Sequence, residues 1–127
     1  MRQNISGGSP FEPLIGFSRA VRVGNVVHVA GTGPVGADNA DVATQTQRVC
    51  EIIQKALEAA GARLEDVVRT RMFLTNVDDW EAVGKVHGAI FGSIRPAATM
   101  VVVAGLLWLF FLIFLTMSDY LTRHWLY

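Results

Sequence analysis

Ser18-Arg19-Ala20-Val21-Arg22-Val23-Gly24-Asn25-Val26-Val27-His28-Val29-Ala30 is the stretch on which the fold turns. Two short runs, both rich in valine, flank Gly24-Asn25, a pair with the backbone freedom that a tight turn needs. The spacing predicts an antiparallel hairpin, one strand from Ser18 to Val23 and the other from Val26 to Ala30. Gly31-Thr32-Gly33-Pro34 ends it, and a loop runs on to Asn39. Residues 1–16, rich in Gly, Pro and Ser, are expected as loop.

Beyond the hairpin the period changes. Asp41 is a natural N-cap, and Val42, Val49, Ile52, Ile53, Ala56, Leu57 and Ala60 recur at helical spacing until Gly61 stops them. That stripe is expected to bury one face, leaving Gln45, Arg48, Glu51 and Lys55 to water. Val67 to Leu74 reads as a strand with Arg69, Thr70 and Arg71 interleaved. Asp78 as cap and Glu81 at the capping-box position start a second helix carrying Trp80, Val83, Val86, Ile90 and Phe91, which stops at Gly92. Arg95-Pro96 is a turn, and the β-branched run from Thr99 to Val103 is a strand. The order β-β-α-β-α-β, with two amphipathic helices on one face of a sheet, is an α+β layer fold.

The bulk numbers exclude some classes. The chain has 127 residues and a formal net charge of zero, which argues against a nucleic-acid partner held by counterion release. The single cysteine, Cys50, allows no intramolecular disulfide, fits a reducing compartment and is most simply a small core residue. The N-terminus has no apolar run of signal-peptide length, so a cytoplasmic location is expected. Three scattered histidines show no metal-ligand spacing, and Gly31-Thr32-Gly33 lacks the following helix of a phosphate loop; neither metal nor cofactor is expected.

Several strings occur together in order: Gly16-Phe17-Ser18-Arg19-Ala20-Val21, Gly24-Asn25-Val26-Val27-His28-Val29-Ala30-Gly31-Thr32, the helix before Gly61-Ala62, Arg71-Met72-Phe73-Leu74-Thr75, and Arg95-Pro96-Ala97-Ala98-Thr99. Over about residues 5–107 the chain resembles the reactive-intermediate deaminase (Rid) family, also described as endoribonuclease L-PSP. The resemblance implies a chorismate-mutase-like fold and a homotrimer with clefts between subunits. It implies hydrolysis of reactive enamines and imines released by pyridoxal-phosphate enzymes, giving a 2-keto acid and ammonia. An arginine grips the substrate carboxylate with its planar fork, and a glutamate in the last strand helps to activate water.

The residues that the resemblance brings to the cleft are Phe17, Ala30, Gly31, Thr32, Gly84, Arg95, Ala98 and Met100. Many depart from the family pattern. Ala98 stands where the gripping arginine is expected, and Arg95 lies on the wrong side of Pro96. Phe17 replaces a tyrosine, Ala30-Gly31-Thr32 replaces Ser-Gly-Gln, and Gly84 replaces an asparagine. His87, where the family has a tyrosine, is the remaining candidate for general acid or base, since an imidazole titrates near pH ~6.5. A surface or packing histidine is the plainer reading. His28 reads as a half-buried packing residue and His124 as a solvated end. Arg69 and Arg71 share a strand face, where they bind an anion, meet solvent or pair subunits.

The end of the chain has another character. No charge occurs from Pro96 to Ser118, and Leu106 to Met117 is almost wholly large and apolar. Residues 1–105 read as the Rid-like domain and 106–127 as an apolar tail. Here the family's glutamate-bearing last strand is replaced by a run expected to be helical, with Gly105 as hinge. As one helix the charge-free run spans about 34 Å, enough for a bilayer core, but it would consume the strand from Thr99. Exposure of the tail to water costs on the order of 15 kcal/mol, the size of a small domain's stability. Membrane contact, burial in a trimer interface, and a fusion or reading-frame slip all remain readings of it.

Two functional classes follow. One is a protein related to the enamine/imine deaminases, its standard activity weakened by Ala98 and the missing glutamate. The other is a non-catalytic module binding a small imine, enamine or carboxylate. A third, the membrane-tethered or frame-shifted relic, concerns the tail.

Overall fold

A computed structural model of the chain describes residues 1–106, together with the backbone pairing of residues 113–114. Strands β1 (Arg2–Ile5), β2 (Ala20–Val23) and β3 (Val26–Val29) form one antiparallel sheet in that order. Helix α1 (Val42–Ala59), strand β4 (Arg69–Leu74), helix α2 (Trp80–Phe91) and strand β5 (Ala97–Val102) follow. β5 lies parallel to β4, and β6 (Ile113–Phe114) pairs antiparallel with the other edge of β4. The class is α+β, with two helices packed together over the sheets. Among the described residues the strands pair as two three-stranded sheets, because no ladder joins β3 to the β5-β4-β6 group.

The hairpin closes as the sequence requires. Val23 pairs with Val26, and Gly24 takes a φ of +58° at the first central position of the turn, a conformation that only glycine adopts cheaply. α1 begins where Asp41 Oδ1 accepts the Thr44 N–H at 2.8 Å. That bond, first among several, holds the Asp41 carboxyl below its usual pKa. The helix ends at Gly61, φ +83°, where the Ala62 N–H donates to the Leu57 carbonyl at 2.8 Å. Between these caps Val49, Cys50, Ile53, Ala56 and Leu57 are buried. They meet Val27 and Val29 of β3 and Met72 and Leu74 of β4 in one core cluster.

Four differences from the sequence reading have physical causes. The loop expected over residues 1–16 begins with β1, whose composition is polar. Pairing with the open edge of β2 makes it a strand, and only Ile5 is buried. Gln45 is buried rather than wet, because its side-chain amide donates to the Asp38 carbonyl at 2.9 Å and closes the loop before α1. Asn76 rather than Asp78 caps the approach to α2: its side chain accepts the Asp78 N–H in a short 3₁₀ turn, Val77–Asp79.

The fourth concerns the tail. Ile113 and Phe114 form a strand where a helix is expected over 106–117, since they complete backbone bonding along Leu74 and Phe73. Leu106 is not helical. The rest of that expectation, and His124, fall on 107–112 and 115–127, outside the described residues. Among the described residues no helix is long and apolar enough to cross a membrane.

Candidate functional site

Two cavities lie at the end of the β1-β2-β3 sheet, and Phe17 and Glu12 line both. The first, about 620 Å³, lies between the segment 5–12, the loop Gly31–Val35 and the face of α1 that carries Arg48, Ile52, Lys55 and Ala56. The second, about 490 Å³, opens beside Ser18, Val21, His28 and Ala30. His28 is therefore an exposed cavity residue, not a half-buried packing residue: it stands across from Val21 on the face of the sheet away from the core.

The wall between these cavities is held by two charged residues that the sequence reading passes over. Glu12, 9 % exposed, accepts the N–H groups of Ser9 at 2.9 Å and Gly7 at 3.0 Å. The Ser9 N–H, above all, keeps its carboxyl below the usual value. A π-type turn, Glu12–Gly16, follows, closed by the Phe17 N–H on the Glu12 carbonyl. Arg19 Nη2 donates to the carbonyls of Ala30 at 2.6 Å and Gly31 at 2.9 Å and reaches the Thr32 hydroxyl. Burial works against the Arg19 charge, and nearby Glu12 supports it. Its Nε is buried without a partner, so the guanidinium is not fully satisfied by protein. A signal was present in the sequence: two charges stand in a stretch otherwise made of Gly, Pro, Ser and apolar residues.

Of the residues assigned to the cleft by resemblance, Phe17, Ala30 and Gly31 line these cavities, and Thr32 is buried beneath them. Gly84, His87, Arg95, Ala98 and Met100 belong to the other half of the chain and line neither. Ala98 is exposed on β5, while Met100 packs against the core. Arg95 has φ +58°, the sole non-glycine residue with positive φ among the described residues, and it precedes a proline, where that conformation is disfavoured. Its side chain is exposed. Gly84 leaves open space: a Cβ added there meets nothing within 4 Å.

His87 is tied down. Its Nε2 lies 2.9 Å from the Thr70 hydroxyl, and its ring packs on Phe91 with centroids 4.7 Å apart. Burial lowers its pKa. Thr70 is 0 % exposed, so an unpaired hydroxyl there would cost about 1–3 kcal/mol. On the opposite face of β4, Arg69 Nη2 donates to the Thr99 hydroxyl at 2.6 Å, while Arg71 is exposed. Cys50 is buried in the core, as its place in the helix stripe predicts.

Comparison with known proteins agrees with this architecture. The profile of the family described as endoribonuclease L-PSP matches residues 8–111. The crystal structure of Rv2704 from Mycobacterium tuberculosis, described as a member of the YjgF/YER057c/UK114 family, superposes with a TM-score of 0.86 at 44% identity, over 94% of this chain and 99% of that one. An uncharacterized protein of Streptomyces coelicolor is 37% identical over 107 residues, 81% of this chain and 80% of its own. The 3-aminoacrylate deaminase RutC of Acinetobacter baylyi is 35% identical over 95 residues, 71% of this chain and 75% of that protein. The chain thus belongs to the endoribonuclease L-PSP family, the same Rid family that its strings of residues resemble.

Proposed function

We propose that this protein binds small 2-imino or 2-oxo acids in a cleft completed between copies of the chain, and hydrolyses the imines only weakly. The reaction that the family resemblance suggests is addition of water to a 2-imino acid, with release of ammonia and formation of the 2-oxo acid. The observation that carries the reading is the division of the candidate residues. Phe17, Ala30 and Gly31 line cavities beside the β1-β2-β3 sheet, whereas Ala98 stands on β5 of the other sheet. Two half-sites on separate sheets suit a cleft that a second copy completes, and a homotrimer is the assembly the family resemblance suggests.

The weakness follows from chemistry. Ala98 offers a methyl group where a guanidinium would grip a carboxylate. Loss of one charge-assisted hydrogen bond costs roughly 1.5–3 kcal/mol, about ten- to a hundredfold in rate. The name of the Acinetobacter baylyi relative, 3-aminoacrylate deaminase, supports an enamine or imine as substrate class. The test is hydrolysis of 2-iminopropionate, generated in the assay by an amino-acid oxidase. Slow ammonia release above the uncatalysed rate is expected, and rapid turnover would contradict the reading.

A second reading is favoured by the cavity of about 620 Å³, whose size suits a small organic ligand and whose wall holds the incompletely paired Arg19. On that reading the protein is a binding module for a small carboxylate, and a pyruvate titration without any hydrolysis distinguishes it.

A further inference from the structure

His87 lines neither cavity of the separate chain, but it stands on α2 over β4, and which of its nitrogens carries the proton decides what it can do in a cleft that a second copy completes. We infer that Thr70 is a positioning residue that sets the tautomer of His87: its hydroxyl donates to Nε2 and leaves the proton on Nδ1, so His87 meets a ligand as a hydrogen-bond donor. The role is more specific than general acid or base, and it rests on the reading that small 2-oxo or 2-imino acids bind near His87.

Thr70 lies on the buried face of β4 and is 0 % exposed, so water cannot take its proton. Among the described residues its side chain has one hydrogen-bond partner, His87 Nε2 at 2.9 Å. If Nε2 carried the proton, Thr70 Oγ1 would accept it and the hydroxyl hydrogen would be left buried and unpaired. If the hydroxyl donates, both groups are satisfied. The imidazolium, with hydrogens on both nitrogens, leaves the same orphan, which works in the same direction as burial of the ring.

The ring is also held in place. Phe91, one turn along α2, packs against it at 4.7 Å between centroids. Among the described residues Nδ1 makes no hydrogen bond and remains available. Thr70 is also the register partner of Ala98, so His87, Thr70 and Ala98 fall in one row across α2, β4 and β5. Where the family places a charged fork, this chain has Ala98, and the strand beside it holds the Thr70 hydroxyl that bonds His87. A carboxylate or carbonyl oxygen of a 2-oxo acid is the acceptor that fits the Nδ1–H of His87.

The experiment uses the full chain with ¹⁵N-labelled histidine, at a pH where the imidazole is neutral, with His87→Gln to assign the signals. The expected spectrum shows a protonated Nδ1 and a bare Nε2 for His87. Thr70→Ser should keep it. Thr70→Val, which has the same shape and no hydroxyl, should give mixed tautomers and bind pyruvate about fivefold more weakly, the worth of one neutral hydrogen bond. A protonated Nε2 in the wild-type chain, or a tautomer unchanged by Thr70→Val, overturns the inference. The expected tautomers, lost in Thr70→Val, with no response to pyruvate in any chain, uphold the role of Thr70 and refute the ligand reading on which its purpose rests.

Discussion

β4 and β5 lie side by side in parallel, six residues paired with six, yet they live in different surroundings. β4 sends Thr70, Met72 and Leu74 into the core beneath the helices and turns Arg69, Arg71 and Phe73 to the other face. β5, Ala-Ala-Thr-Met-Val-Val, has no such alternation, and Val101 and Val102 stay 39% and 50% exposed. Among the described residues β5 is an edge strand with apolar side chains in the open. The lesson is that β4 is stabilised by its own chain, whereas β5 leaves valines exposed, where the second copy proposed above would pack.

Substitutions can break or sharpen that contrast. The largest effect is expected at Leu74, 0 % exposed: Leu74→Ala should cost about 2–5 kcal/mol by denaturant melt, as a cavity opens under both helices. A smaller cost is expected at the cap of α1, where Asp41→Ala removes the bond to the Thr44 N–H and about 0.5–2 kcal/mol. On β5, Val101→Asp should change the stability of the separate chain by about 0.5 kcal/mol or less while dispersing the proposed homotrimer in sedimentation. An unchanged oligomer would show that β5 is not its interface.

The smallest effect is set by pH. Burial lowers the pKa of His87 from its usual 6.5, so the folded chain favours the neutral ring. The resulting stability is present in full above pH 6.5 and is lost as pH falls through the folded-state value. Thermal melts between pH 7.5 and 5 should therefore show a steeper decline for the wild-type chain than for His87→Gln. Parallel declines would mean that burial does not favour the neutral ring of His87.

Much of the fold was legible. The Gly24-Asn25 turn, the Asp41 cap, the helix stripe and the Gly61 stop are local signals, and local chemistry decided them. β1 was not legible, because Arg2-Gln3-Asn4-Ile5 has no strand pattern and becomes a strand by pairing with β2. Ile113-Phe114 misled for the opposite reason: within an apolar run a strand and a helix look alike, and the edge of β4 settled the matter. The site was legible only in part. Phe17, Ala30 and Gly31 do meet at cavities, but Glu12 and Arg19 act through loop carbonyls and N–H groups that no residue spacing announces. The partnership of Thr70 with His87, seventeen residues apart, likewise depends on how α2 lies over β4.

The central claim is that the chain keeps the family's architecture while Ala98, at the position proposed to grip a carboxylate, carries no charge. The most direct test is 2-iminopropionate hydrolysis by the wild-type chain and by Ala98→Arg, measured side by side. The account predicts slow turnover by the wild-type chain and a gain of roughly ten- to a hundredfold in kcat/KM on restoring the guanidinium. Rapid turnover by the wild-type chain, unchanged by Ala98→Arg, would contradict it.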